Sequence, residues 1–448
     1  MTSGTSEFAA AERRSVRRGW RVVAGAFAVM FVSQGTVYSF SAFFASLQEA
    51  FAAPRGAISL IFSITTALFC IVGLVSGPLA DRFGPRRVAL LGVLMSGAGL
   101  LVAARAEALW QISVGFGIGL GFGVGFAYVP AVASVQRWFL RRRGTATGIA
   151  VAGVGLGTLC MPLLAVPLIS WVGWRDTWTV FSLLVIGIGG AGSLLLDVGP
   201  ERYGLLPDGG VADRTAALNT SPAAGWTTKD AVRSKPFRLL YLSLIFVCVG
   251  TFIPFVHLVP YAEDHHVSHD VAVAIFSMLG VGSTVGRFAY GGLADRLGRR
   301  RSLAAVILGL GIMQLWWFGS TSAWQLVVFA LVFGSFYGGF NSLYPALTAD
   351  YFGTRNASAI IGVLYSAAAV GMFAGPKLAG EGFDAFRSYT LPILISAGCA
   401  FIGAALVLLS RDPTAHSAPG IGTDGRHDDA GEAKPQDGTR PTLTIAPQ

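Results

Sequence analysis

One arginine, Arg287, stands inside an apolar stretch, Val271 to Ala294, that is long enough to cross a bilayer. A cation at the centre of a membrane helix costs at least ~2.5 kcal/mol on insertion scales, so it requires a partner. At the rise of an α-helix Arg287 lies about 12 Å inward from Asp295, too deep to reach the interface without strain. The acids of the predicted spans lie only at span ends, so the chain offers no carboxylate at that depth. The partner expected is therefore external: a small carboxylate, gripped by the planar two-donor fork of the guanidinium. Tyr337 and Asn341, one helical turn apart, put a phenol and an amide on one face, either to bind one small polar ligand or to tie helices together. Tyr128, and Gln34 with Tyr38 at the same one-turn spacing, either line a cavity or pack. His257, near the end of the seventh span, and Asp264, just beyond it, are the candidates for reversible protonation. Asp81 with Arg82, and Asp295 with Arg296, place opposite charges at helix ends, where they would latch two halves of the molecule on one face.

These residues need a scaffold of membrane helices. Of 448 residues, 53% are hydrophobic and only 13% charged, and the mean hydropathy is +0.61, which marks an all-α membrane protein. Twelve apolar spans can be drawn, from Trp20–Phe44 through to Tyr389–Ser410. They fall into two six-helix bundles, 19–197 and 237–410. A basic N-terminal arm (1–18), a polar linker (198–236) and a Gly-, Asp- and Pro-rich tail (411–448), expected to be disordered, complete the chain.

The formal charge of +9 is explained by topology. With the N-terminus inside, one set of loops carries Arg82, Arg86, Arg87, then Arg137 and Arg141 to Arg143, then Arg296 and Arg299 to Arg301, while the other set holds only Arg55, Arg105, Arg175 and Arg387. Short cytoplasmic loops accumulate such residues, so both termini are expected in the cytoplasm of a cell-membrane protein, with the basic loops against anionic lipid. No nucleic-acid partner is needed. The apolar run after Arg21 exceeds a signal-peptide core and reads as the first span. Cys70, Cys160, Cys248 and Cys399 all fall within spans without CxxC spacing, and His265, His266 and His269 match no metal-ligand pattern. The glycines of the fourth span, Gly115, Gly119 and Gly123, follow no strand and open no helix, so they indicate close helix packing and not a phosphate loop. No nucleophile and base, paired carboxylates or metal cluster stands at membrane depth, so neither an enzyme nor a cofactor is expected.

The turn Gly77-Pro-Leu-Ala-Asp81-Arg82-Phe-Gly84-Pro-Arg-Arg87 returns as Gly291-Gly-Leu-Ala-Asp295-Arg296-Leu-Gly298-Arg-Arg-Arg301, displaced by 214 positions. The same displacement carries Arg287 onto Gly73, so the charge is not part of the repeated scaffold. Two copies in two halves imply bundles related by an axis along the membrane normal. The repeated turn resembles the loop signature of the major facilitator superfamily. Arg137-Trp-Phe-Leu-Arg141-Arg-Arg-Gly144, followed by a span containing Gly148, Gly153 and Gly157, resembles the monocarboxylate transporters and their oxalate/formate exchanger relatives. That resemblance implies alternating access, Arg287 as the carboxylate ligand with Tyr337 and Asn341 beside it, and a functional monomer. It departs at Ser283, where the animal transporters carry an aspartate for proton coupling, and at Arg18-Gly-Trp-Arg21, which lacks their acid. The function expected is transport of a lactate- or pyruvate-like monocarboxylate with a proton. The alternatives are a proton-independent anion exchanger, a drug or metabolite exporter, and a transporter-like sensor, though linker and tail show no output domain.

Overall fold

The computed structural model describes residues 2–139, 142–203, 226–353 and 356–411. Among these, eleven helices are long and apolar enough to span a membrane. One of them, Gly144–Leu195, is 52 residues long, about 78 Å at the helical rise and so twice what a bilayer needs. It breaks at Gly173, whose φ of +79° a residue with a Cβ rarely adopts, and the chain turns back there. Twelve crossings result: α1 (Val16–Phe51), α2 (Arg55–Phe83), α3 (Pro85–Ala104), α4 (Leu109–Trp138), α5 (144–172), α6 (174–195), α7 (Lys235–Asp264), α8 (His269–Leu297), α9 (Arg299–Phe318), α10 (Ala323–Phe352), α11 (Ala357–Phe386) and α12 (Thr390–Leu409). The N-terminal arm continues α1 as helix back to Thr2. Most of the linker (204–225) and the tail from 412 onward lie outside the described residues.

The repeat is visible in backbone geometry. Gly84 and Gly298, 214 positions apart, end α2 and α8 with φ of +88° and +82°, and Pro85 and Arg299 start the next helices at once. The first helix of each bundle is interrupted at a corresponding point. In α1 the α-helix passes into a 3-10 stretch, Ser39–Phe43, and in α7 it stops at Thr251 and restarts at Pro254, which has no N–H to continue the ladder.

Glycine sets how closely the helices approach. A Cβ on Gly119 would sit 2.8 Å from the Gly99 backbone, and one on Gly115 2.6 Å from Ala103 N, so the α4 glycines serve packing against α3 as expected. The two bundles meet along α2 with α11, along α5 with α8, and where the far ends of α1 and α7 touch. At the α5–α8 crossing a side chain on Gly280 would overlap the Gly155 carbonyl.

Candidate functional site

Arg287 lies on α8 about 15 Å from the helix end at Leu297 and about 27 Å from the start at His269, by the helical rise. It is half-buried and forms no ion pair with any other described residue; its Nε is buried without a hydrogen-bond partner. One turn away the Ser283 hydroxyl is likewise buried and unpaired. Gly338 on α10 brings the neighbouring residues in: a Cβ there would overlap the Ser283 carbonyl and lie 3.0 Å from Arg287 N. The two helices therefore touch backbone to backbone, which seats Tyr337 and Asn341 beside the arginine.

From the other bundle come Tyr38 and Tyr128. The Tyr38 and Tyr337 hydroxyls are hydrogen-bonded at 3.1 Å, a direct bond between α1 and α10. Phe255, just past the break in α7, packs against both rings with centroids 4.9 Å away. Tyr128 is half-buried with its ring edge-on to Phe69. Asn341 is half-buried and donates one amide N–H to the Tyr337 carbonyl at 2.9 Å. Gln34 is 3% exposed and makes no hydrogen bond to other described residues. Lys377, next to Pro376 toward the arginine-poor face, is paired with Glu381 at 2.7 Å.

His257 and Asp264 are not brought to Arg287. Both stand at the arginine-poor face, in a set of contacts between the bundles. Arg55 donates to Asp264 through two nitrogens at 2.6 and 2.7 Å. His257, fully buried, lies between Tyr389 (3.0 Å) on Nδ1 and both Ser59 (3.1 Å) and the Pro376 carbonyl (2.9 Å) on Nε2. The chain is therefore closed toward this face. On the arginine-rich face Asp81 pairs with Arg137, and Arg299 with Asp350; each pair lies within one bundle and holds neighbouring helix ends together. Arg82 is exposed over Phe83 and Arg296 is exposed, while the Asp295 side chain lies outside the described residues. Among the described residues the repeated turns form no ion pair between the halves.

Sequence reasoning missed Arg55, Tyr389, Phe255 and Asp384, which accepts the backbone N–H groups of Arg55 and Gly56. Arg55 was visible as one of few arginines on its face, but its partners lie more than 200 positions away in sequence, and no local pattern links them.

Two bundles of six crossings, with a cation where they meet that no other described residue neutralises, define a membrane carrier. The chain belongs to the major facilitator superfamily, whose family model matches residues 26–280 and 240–439. Within it the chain is similar to Monocarboxylate transporter 12 of Rattus norvegicus, 30% identical over 416 residues, covering 87% of this chain and 84% of the relative. Monocarboxylate transporter 13 of Bos taurus is 26% identical over 408 residues, 90% of this chain and 91% of its own. The MFS-type transporter pynF of Aspergillus niger is 26% identical over 398 residues, 88% of each.

Proposed function

We propose that the protein is a secondary active carrier of a small lactate- or pyruvate-like monocarboxylate, working by alternating access in the cell membrane with both termini cytoplasmic. The observation that carries this reading is Arg287, a charge at membrane depth with no acid of the described chain to neutralise it. Its fork takes the carboxylate; Tyr337, Asn341, Tyr38, Tyr128 and Gln34 contact the rest of the ligand. One cation without an ion pair among the described residues of the site suits a monoanion, because a second carboxylate would remain unpaired in a low-dielectric site. The names of two relatives, Monocarboxylate transporters 12 and 13, support this chemistry.

The bundles rock about the α2–α11 and α5–α8 seams. A proton on Asp264 or on His257 loosens the closed face, which couples the cycle to protons at a distance from the substrate. In the opposite state the turns of Asp81, Arg82, Asp295 and Arg296 close the arginine-rich face. The second reading, exchange of anions without protons, is favoured by Ser283, which leaves no acid beside the arginine. Uptake by proteoliposomes of labelled lactate, pyruvate, propionate and propionamide, with and without a pH gradient, tests both. The carrier reading expects the acids to enter and the amide not to. Equal uptake of propionate and propionamide overturns it, and acid counterflow indifferent to the gradient selects exchange.

A further inference from the structure

The contacts that close the arginine-poor face have the chemistry of carboxylate recognition. Arg55 presents its fork to Asp264 in the bidentate manner by which a guanidinium binds any carboxylate. The same site adds the Tyr389 hydroxyl at 2.8 Å from the guanidinium, and the Phe383 ring 3.9 Å beneath it. Beside it Asp384 takes the backbone N–H groups of Arg55 and Gly56, at 2.9 and 2.8 Å, one on each oxygen. Two acids of one bundle thus occupy two adjacent carboxylate receptors of the other. The Arg55 side chain is only 11% exposed and its Nε is buried with no partner. A cleft of about 470 Å³ abuts it, lined by Gln48, Pro54, Phe383, Asp384 and Arg387.

For a solute to reach Arg287 from this side the face must part. Arg55 then stays with the N-terminal bundle, while Asp264, Asp384, Phe383 and Tyr389 leave with the other. A mostly buried guanidinium loses its counter-ion at the moment the entrance opens, and an incoming carboxylate restores the pair. We propose that Arg55 is a second carboxylate site, an entry station for small monocarboxylates on this face, for which Asp264 stands in while the face is closed. This rests on the carboxylate-carrier reading, since only a carboxylate cargo would meet both arginines in turn. The cargo itself then promotes opening by competing with Asp264.

The test uses the full chain without its native cysteines, carrying Ser59→Cys behind the closure and Arg287→Gln to silence the central site. The rate at which a membrane-impermeant thiol reagent labels Cys at 59 from the arginine-poor side reports opening. Propionate is expected to raise that rate several-fold and propionamide to leave it unchanged. Adding Asp264→Asn removes the internal competitor, so the propionate concentration for half the effect should fall several-fold. Adding Arg55→Gln should abolish the propionate dependence, whatever the basal rate. Labelling indifferent to propionate, a propionate effect that survives Arg55→Gln, or a half-effect concentration unmoved by Asp264→Asn overturns the proposal. Failure of the carrier reading shows separately, as wild-type vesicles that take up no carboxylate.

Discussion

Arg287 was legible from sequence because its cost is local: a charge among apolar residues calls for a partner whatever the fold. Tyr337 and Asn341 were legible as a pair for the same reason, one helical turn being enough to put them together. The bond from Tyr337 to Tyr38 was not, since its partners are 299 positions apart and meet only through the packing of two bundles. That bond makes a prediction. Tyr38→Phe and Tyr337→Phe each remove one hydroxyl of a buried pair, which costs about 1 kcal/mol of stability. Each variant should fold, melt a few degrees lower and need several-fold more substrate for half-maximal uptake. A thermal-shift assay and an uptake titration read the two effects. The double variant should cost little more than either single change, because the bond is lost once.

At the scale of the helix, composition placed the spans closely: the eighth, expected over Val271–Ala294, runs His269–Leu297, and the tenth starts at Ala323 as expected. Breaks and joints were harder to read. The turn between α5 and α6 collapses to Gly173, because one glycine with positive φ reverses the chain without a loop. Interruptions in α1 and α7 lie where the two bundles touch, and only Pro254 announced one of them. Glycine was read correctly as packing, but which helix each one faces depends on the assembled bundle. Gly280 and Gly291 separate the two roles on one helix. A leucine at Gly280 would drive into the Gly155 carbonyl, whereas a Cβ at Gly291 meets nothing within 4 Å. Gly280→Leu should therefore lower the melting temperature and abolish transport. Gly291→Ala should keep both, with up to about 1 kcal/mol of added helix stability. Equal behaviour of the two variants would refute the seam as described.

For the whole molecule, the repeated turns with their arginines suggested a latch between halves, and in this state the observed ties there are internal to each bundle. Besides the central bond of Tyr38 to Tyr337, bonds between the bundles lie at the opposite face, on Arg55, Asp264, Asp384, His257 and Tyr389. Which face is closed is a property of one conformation, and a sequence that must serve two conformations does not announce either. Arg55→Ala and Asp264→Ala should each raise thiol labelling at position 59, and the double variant should add little, with a coupling of about 1 to 3 kcal/mol in the opening equilibrium. Additive effects would mean the pair does not hold the face. Transport as proposed depends on the cation between the bundles. Purified protein carrying Arg287→Lys keeps the charge and loses the planar fork. Measured in proteoliposomes at matched protein content, with wild type beside it, its initial rate of labelled monocarboxylate uptake should fall more than ten-fold, the loss of one charge-assisted hydrogen bond of about 1.5 to 3 kcal/mol. Uptake at the wild-type rate would contradict the assignment of Arg287 as the carboxylate ligand.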